Sequence, residues 1–483
     1  MTARPSFRSP WTHLTTSVGA VLLAIGLCQG HARSQPIGEV RAGTIVPSVV
    51  VRAEPDQTYA LYLPSSYGVH RKWPVIFAFD PSARGQIPLE CYKEAAEKYG
   101  YILVASNVSR NGPMPPSLRA GLAMMRDAAE RFSIDERRIY VTGFSGGARV
   151  ASAMAQMQKG RIAGVIGSAG GFPAGDVPSA QTPFAFCGTV GDEDYNWLEM
   201  HRLDRALASL DKPRQLLRFP GGHTWPPKDV AMAAVEWLEL QAMRAETRAK
   251  DAALIEGWRQ EGLVRARDEE NRGALFDAWL SYSDLVTTFR GLTDVQPFEA
   301  RASALHNQEA VRKQIRRERE AEELEDSQRV EIARYIGQLS DIEQQVDATR
   351  QLFALINVLE RNEQKARTRS ERSLARRLIE HANITAYYTG QPLFDAGEYR
   401  SAMTYFQIQA AIHPESSGIQ YRIAVTYGRA GDGKKALEAL ERAAGRGFAD
   451  ATRVETERGF EKLRSEPRYL KALDAIRKNR KPS

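Results

Sequence analysis

Between residues 49 and 241, short apolar runs alternate with longer amphipathic segments. A short run that is apolar throughout is typical of a strand buried on both faces, and apolar residues spaced by three or four are typical of a helix. We predict strands over 49–53, 58–63, 73–79, 101–106, 138–142, 163–168, 182–187 and 215–219, and helices over 89–99, 116–132, 148–157 and 230–240. Strands separated by helices predict a mostly parallel sheet with helices on both faces.

The pattern changes after residue 241, where prolines almost disappear and charged residues become dense. Apolar residues recur at mostly helical spacing, at Ile332, Ile336, Leu339, Ile342, Val346, Phe353, Ile356 and Leu359. This region is therefore predicted to form long amphipathic helices, as a helical hairpin or a short coiled coil. A structural spacer is the simplest interpretation, and a dimerisation element is the alternative.

An internal repeat begins near residue 387. Residue types match at a constant offset of 34 residues in these pairs: Tyr387 and Tyr421, Leu393 and Tyr427, Gly397 and Gly431, Ala402 and Ala436, Phe406 and Leu440, Ala410 and Ala444. This period and the small residues indicate tetratricopeptide-like repeats. Such repeats stack into a concave surface, so a protein or peptide partner is one expectation and packing against the chain's own domains is the other.

The N-terminus has the three parts of a secretory signal peptide. Arg4 and Arg8 precede an apolar run over residues 18–28, and Gly30 and Ala32 follow as a small-residue cleavage site. The run is shorter than the roughly 20 residues of a membrane-spanning helix. We expect the mature protein to be secreted or periplasmic, with no stable membrane span after cleavage; an uncleaved anchor is the alternative.

The charge and the cysteine content argue against a nucleic-acid partner, a disulfide framework and a cysteine metal site. The net charge of +7 comes largely from mixed acids and bases in the middle of the chain, which is typical of solvated helix faces. No stretch interleaves basic and aromatic residues, so we expect no nucleic-acid partner. Cys91 and Cys187 are the two cysteines outside the signal, too few for a disulfide framework, and they form no metal-binding spacing. Both are expected to be ordinary buried or half-buried residues.

The clearest chemical signal is Gly143-Phe144-Ser145-Gly146-Gly147, which lies between a predicted strand and a predicted helix. At such a turn a serine hydroxyl is held exposed, and glycines on either side let the backbone approach closely. We predict Ser145 as a nucleophile. The similar stretch around Ser168 lacks the glycine two positions before the serine, so Ser168 is interpreted as structural.

A serine hydroxyl needs a general base, most often histidine. The segment over residues 49–241 contains His70, His201 and His223. His70 lies in a polar loop and His201 in a charged helix that is expected to be exposed. His223 follows the last predicted strand, where this architecture places its base, and is therefore the predicted base.

The chain order serine, acid, histidine places the acid in the loop after residues 182–187. That loop contains Asp192, Glu193 and Asp194. We favour Asp194, with Asp192 as the alternative acid and Glu193 the least favoured. The carboxylates that are not used are expected to be solvated.

A tetrahedral intermediate needs two N–H donors. Gly146, directly after the nucleophile, is predicted to provide one. The second is expected from the loop after residues 73–79, where Pro81 has no N–H and Ser82 is therefore the predicted donor.

The stretch from Tyr59 to Trp225 resembles α/β-hydrolase esterases, in particular those similar to polyhydroxybutyrate depolymerases and feruloyl esterases. The resemblance rests on LYLP at 61–64, GFSGG at 143–147 and GGHTWP at 221–226. It implies a Ser–Asp–His triad, ester substrates and no cofactor or metal. The sequence departs from the family at Asp80-Pro81, where the family has a His-Gly pair, and at the acid, which is delayed by residues 190–193.

The resulting fold class is α/β: a signal peptide over 1–32, an α/β-hydrolase domain over 33–241, a charged helical region over 242–380 and tetratricopeptide-like repeats over 381–483. The predicted function is an exported serine hydrolase of carboxylic esters acting through an acyl-enzyme. The alternatives are an inert hydrolase-fold scaffold that binds a protein through its repeats, and a peptidase of the same fold.

Overall fold

The computed structural model describes residues 41–480, so the predicted signal peptide lies outside the described residues and stays a prediction. Within them, eight strands form one sheet. Their bounds are β1 Ile45–Val50, β2 Thr58–Tyr62, β3 Trp73–Phe79, β4 Ile102–Ser106, β5 Ile134–Phe144, β6 Gly164–Ser168, β7 Ala185–Gly191 and β8 Arg214–Phe219.

The strands lie in the order β1-β2-β4-β3-β5-β6-β7-β8. β1, β2 and β4 pair antiparallel, whereas all pairings from β4 through β3 to β8 are parallel. The predicted mostly parallel sheet is therefore confirmed. In the register, Phe79 faces Gly143 and Phe144 faces Ser168. The loops that carry the predicted chemistry consequently meet at one edge of the sheet, the carboxyl edge of its parallel strands.

Five helices accompany the sheet: α1 Gln86–Tyr99, α2 Met114–Arg131, α3 Gly146–Met157, α4 Trp197–Ser209 and α5 Lys228–Arg244. Side chains of α1 and α5 share one apolar cluster with alternate residues of the strands, including Ile76, Ala78 and Cys187. On the other face, Gly121 of α2 lies against the Phe79 ring and Met154 of α3. Both faces are covered because the central strands are apolar in both directions, as the seven buried residues of β3 show.

The rest of the described chain is helical. Its α-helices are α6 Ala252–Asn271, α7 Leu275–Phe289, α8 Gln296–His306, α9 Glu309–Gln338, α10 Gln345–Lys365, α11 Arg369–Asp395, α12 Tyr399–Ile412, α13 Ser417–Arg429, α14 Gly433–Gly445, α15 Ala451–Thr456 and α16 Pro467–Lys478, with a 3-10 helix at Arg458–Leu463. One apolar cluster joins α5 to α6, α7 and α8, a second joins α9 to α12, and a third joins α12 to α16.

The 34-residue offset has a structural counterpart. Tyr387 and Tyr421 lie on α11 and α13, and each of these helices is followed by a turn with a left-handed glycine, Gly397 at φ 85° and Gly431 at φ 83°. The pairs α11–α12 and α13–α14 are neighbours in sequence, and residues of all four helices contribute to one apolar cluster. The assignment to the tetratricopeptide family stays a prediction.

Some strand bounds differ from the sequence-based expectations. The first strand runs from Ile45 to Val50 instead of 49–53, at the edge of the sheet. The strand β7 runs from Ala185 to Gly191 instead of 182–187. The helix α4 that follows it contains His201, which was expected in a charged helix. Cys91 is half-buried and Cys187 buried, both as free thiols, which confirms the expectation for them. None of the helices in residues 41–480 is long and apolar enough to cross a membrane.

Candidate active site

Ser145 occupies a strained turn between β5 and α3. Its backbone has φ 54° and ψ −119°, a left-handed φ that non-glycine residues adopt rarely and at a cost of about 1–3 kcal/mol. The flanking chain has no room for side chains, because a β-carbon on Gly143 would lie 2.1 Å from the carbonyl oxygen of Gly147. One on Gly147 would lie 2.0 Å from that of Phe79. Such strain persists only where packing imposes it, which is typical of a functional position.

Asp194 and His223 meet at the same edge of the sheet. His223 Nδ1 lies 2.9 Å from Asp194 Oδ1 and 3.0 Å from Oδ2. The carboxylate is fully buried, and its Oδ1 also accepts the backbone N–H of Asn196 at 2.7 Å. A carboxylate in this position holds the imidazole with its proton on Nδ1 and leaves Nε2 as the acceptor. The pair therefore has the geometry of a base and its orienting acid.

His223 Nε2 is engaged by a residue that the sequence analysis did not consider. Tyr195 Oη lies 2.8 Å from this nitrogen, and the two rings are 4.2 Å apart. Burial raises the pKa of Tyr195, and the adjacent Ser145 side chain opposes part of that rise. Within the described residues, Ser145 makes no hydrogen bond to His223. In this state His223 Nε2 is therefore occupied by the Tyr195 hydroxyl, and Tyr195 lines the same cavity as Ser145.

The loop after β3 does not offer the predicted oxyanion donor. The backbone N–H of Ser82 donates to Asp80 Oδ1 at 2.8 Å and is therefore already engaged. Asp80 is fully buried and also accepts Arg84 Nε at 2.9 Å and Trp225 Nε1 at 3.0 Å. Burial alone would raise the pKa of Asp80, but these hydrogen bonds outweigh it and lower the pKa. The geometry argues against Ser82 because Asp80 takes its N–H to satisfy a buried charge.

The two acids next to Asp194 are not solvated, so that expectation was wrong. Asp192 pairs with Arg369 of α11, and its Oδ1 accepts the backbone N–H of Gly221 at 2.9 Å. Glu193 pairs with Arg376 Nη1, also of α11, at 2.6 Å. Each acid side chain is only 21% exposed. The loop that presents Asp194 is thus held from outside by the helical region.

A buried ion cluster continues this contact. Arg377 of α11 donates to Glu325 of α9 at 2.7 Å and to the carbonyl oxygen of Asp192 at 2.8 Å. Arg329 of α9 pairs with the same Glu325 and donates to the carbonyl oxygen of Tyr195. The region interpreted as a spacer therefore contacts the loop on which the predicted acid lies.

Replacing Arg377 with methionine is expected to lower the free energy of unfolding by about 3 kcal/mol, because it leaves the buried Glu325 carboxylate with one partner fewer. Urea unfolding followed by circular dichroism measures the change. Arg372→Met, on an exposed position of the same helix, is the matched control and is expected to have little effect. Equal unfolding curves for the two variants would show that the cluster contributes nothing.

A cavity of about 290 Å³ opens beside Ser145. It is lined by residues of the part that carries the sheet, among them Asn111, Gly146 and Tyr195, and by Tyr388 from α11. Sequence reasoning missed Tyr388 and Asn111, since nothing in their local sequence separates them from other loop and helix residues. A second cavity, of about 530 Å³, lies on the other side of His223 and is lined by Glu380 and His413, which form an ion pair at 2.6 Å.

The remaining candidates lie apart from this site. Ser168 is fully buried and accepts a hydrogen bond from Thr189 Oγ1 at 2.9 Å, consistent with its structural interpretation. His201, expected to be exposed, is half-buried, and its Nε2 has no partner within residues 41–480. Burial, with the nearby Arg218 and Arg205, lowers its pKa to about 3. His201 is thus a neutral packing residue at ordinary pH.

No protein-family model matches the chain, and no curated protein matches it either. Solved structures similar to part of it include esterases. A thermostable esterase is 20% identical, with 40% of this chain and 61% of that one covered and a TM-score of 0.32. Est1E from Butyrivibrio proteoclasticus is 14% identical, with 38% and 94% covered and a TM-score of 0.32.

A mutant feruloyl esterase module from Clostridium thermocellum, complexed with sinapinate, is 13% identical over 41% of this chain and 88% of that one, with a TM-score of 0.33. The chain thus spans less than two thirds of the thermostable esterase and most of the other two. At this level of similarity, the function has to be argued from the chain's own side chains at the Ser145 turn.

Proposed function

We propose that the protein is a serine hydrolase of carboxylic esters, with Ser145 as nucleophile, His223 as base and Asp194 as the acid that orients it. The observation that carries the proposal is the bidentate approach of the buried Asp194 carboxylate to His223 Nδ1, at the same edge of the sheet as the strained Ser145 turn. A buried carboxylate on Nδ1 makes Nε2 the proton acceptor that a serine nucleophile needs.

The reaction begins when substrate enters the Ser145 cavity and the Tyr195 hydroxyl leaves His223 Nε2. Ser145 Oγ adds to the ester carbonyl carbon while its proton passes to Nε2. The tetrahedral intermediate collapses, the bond to the alcohol oxygen breaks, and the alcohol leaves with the proton from His223. Water then attacks the acyl-enzyme with His223 again as base, which releases the acid and restores Ser145.

The electrostatics of the cavity suit this chemistry. Gly146 begins α3, so its N–H is among those that have no partner within the helix and faces developing negative charge. Among residues 41–480 no carboxylate lines the cavity, whereas Arg110 does, and so does Arg149, which is paired with Glu199 at 2.7 Å. A negatively charged intermediate is therefore not repelled by any negative charge among these lining residues.

Labelling with a fluorophosphonate probe tests the proposal. The wild-type protein is expected to be labelled covalently and Ser145→Ala is expected not to be, because the probe reacts with an activated serine. Ser168→Ala is the matched control, since Ser168 ends the neighbouring strand in register with Phe144; it should be labelled like the wild type.

A panel of acyl esters of varied chain length and aromaticity, run on the same three proteins, then defines the substrate. Equal labelling of folded Ser145→Ala and wild type would overturn the assignment of the nucleophile. Labelling without turnover on any ester, together with cleavage of amide substrates, would redirect the proposal to a peptidase.

A further inference from the structure

The proposed reaction needs two donors for the oxyanion, and the loop after β3 provides none. Residue 81 is proline and has no N–H. The amides of Ser82 and Ala83 donate to Asp80, to its Oδ1 at 2.8 Å and to its carbonyl oxygen at 3.2 Å. The amide of Arg84 points to the same carboxylate at 3.4 Å. Of the amides at residues 81–84 and 146, that of Gly146 alone stays available, so the second donor is expected from elsewhere.

Asn111 lies next to the loop after β3. Its backbone N–H donates to the carbonyl oxygen of Pro81 at 2.8 Å, and the preceding residue, Arg110, forms a β-bridge with Ser82. The loop that carries Asn111 is therefore attached to the loop that would ordinarily supply the donor. Asn111 also lines the same cavity as Ser145 and Gly146.

The carboxamide of Asn111 rests on the backbone next to the nucleophile. A β-carbon added to Gly146 would lie 1.9 Å from Asn111 Oδ1 and 3.6 Å from Nδ2. Only a glycine after Ser145 permits this approach, since any β-carbon would collide with the amide. The Oδ1 side thus packs against Gly146, and Nδ2 lies on the side of Tyr388, which lines the same cavity.

Tyr388 orients the amide from the helical region. Asn111 Nδ2 approaches Tyr388 Oη of α11 at 3.5 Å. An amide nitrogen carries two hydrogens, so one can face Tyr388 while the other remains for a substrate oxygen. The position of this donor is therefore set by the hydrolase-like part and by α11 together.

We propose that the side-chain amide of Asn111 is the second oxyanion donor, acting with the backbone N–H of Gly146. This inference rests on the proposed function, because it assigns a catalytic role within the Ser145 reaction. As Ser145 Oγ adds to the carbonyl carbon, the carbonyl oxygen gains the negative charge and accepts both hydrogen bonds; no bond to Asn111 forms or breaks. The side-chain amide thus replaces the amide that Pro81 lacks.

Kinetics of Asn111→Ala and Asn111→Asp test the proposal on the full chain. Loss of one oxyanion donor lowers kcat by about 100- to 1000-fold. Both variants should show this loss with KM nearly unchanged, since the donor binds the transition state more strongly than the substrate. Asn111→Asp keeps the shape of the side chain, removes the N–H donors and places a negative charge beside the oxyanion, so its loss should be at least as large as that of Asn111→Ala.

Asn107→Ala is the matched control. Asn107 lies in the same loop, but its amide donates to the carbonyl oxygen of Pro47, on the edge strand, at 3.0 Å; its kcat should stay close to that of the wild type. A boronic acid that forms a tetrahedral adduct with Ser145 should bind both Asn111 variants more weakly than the wild type and bind Asn107→Ala normally.

The outcomes separate this inference from the proposed function. A wild-type enzyme whose labelling depends on Ser145, together with a folded Asn111→Ala variant that keeps its kcat, would overturn the role of Asn111 alone. Full activity of Asn111→Asp would also overturn it. Ser145-independent labelling would overturn the proposed function itself, whatever the Asn111 variants do.

Discussion

Replacing His223 with alanine is expected to lower kcat for ester hydrolysis by about a millionfold while the protein stays folded. The serine hydroxyl is a poor nucleophile near neutral pH, and His223 Nε2 is the acceptor whose proton position is set by the buried Asp194. Steady-state kinetics on an ester that the wild type turns over measures the loss, and circular dichroism verifies the fold.

His413→Gln is the control for this experiment. His413 lines the cavity on the other side of His223 and pairs with Glu380, so it lies near the site without facing Ser145. Its kcat should remain within a few-fold of the wild type. If His413→Gln lost as much activity as His223→Ala, the general base would have to be reassigned.

The sequence predicted the central sheet well because its signal is local. Every residue of β3 is buried, and the apolar run Trp73–Phe79 marks it without reference to the rest of the chain. The predicted range of the edge strand β1 was displaced from the observed one. Its residues are half-buried or exposed and include Pro47, so no alternation of apolar and polar positions marks its bounds. The alternation of apolar and polar residues follows from burial, and the strands at the edge of a sheet are the least buried.

The Ser145 turn and His223 could be predicted for the same reason, since each lies in a short motif next to a strand. Tyr195, Asn111 and Tyr388 could not. Asn111 and Tyr388 are 277 positions apart in the chain, and only the packing of α11 against the loop after β4 brings them together. No local pattern encodes a contact of that kind.

The acid illustrates the limit of local reasoning most clearly. Asp192, Glu193 and Asp194 are adjacent and chemically alike, so the sequence ranks them only by position. In the structure the three acids have different partners. Asp192 pairs with Arg369, Glu193 with Arg376, and Asp194 with His223. Both arginines lie more than 170 positions away in a region that the sequence suggested was a spacer.

Because Asp194 alone of the three acids contacts His223, the second large loss of activity is expected at this residue. Asp194→Asn is expected to lower kcat by about 10,000-fold, because an amide on Nδ1 no longer holds the imidazole in the tautomer that accepts the serine proton. The buried asparagine still accepts the backbone N–H of Asn196, so the loop should keep its shape. Steady-state kinetics and a urea unfolding curve of the same preparation separate lost catalysis from lost stability.

Asp192→Asn and Glu193→Gln are the matched controls, one on each neighbouring acid. Both side chains pair with partly exposed arginines, and an ion pair of that kind contributes about 1 kcal/mol or less, so kcat should change less than about fivefold. A loss in Asp192→Asn as large as that in Asp194→Asn would make Asp192 the catalytic acid and the His223–Asp194 contact structural. Because the three variants differ by one amide each within three adjacent residues, the acid that orients His223 is identified by comparison within a single loop.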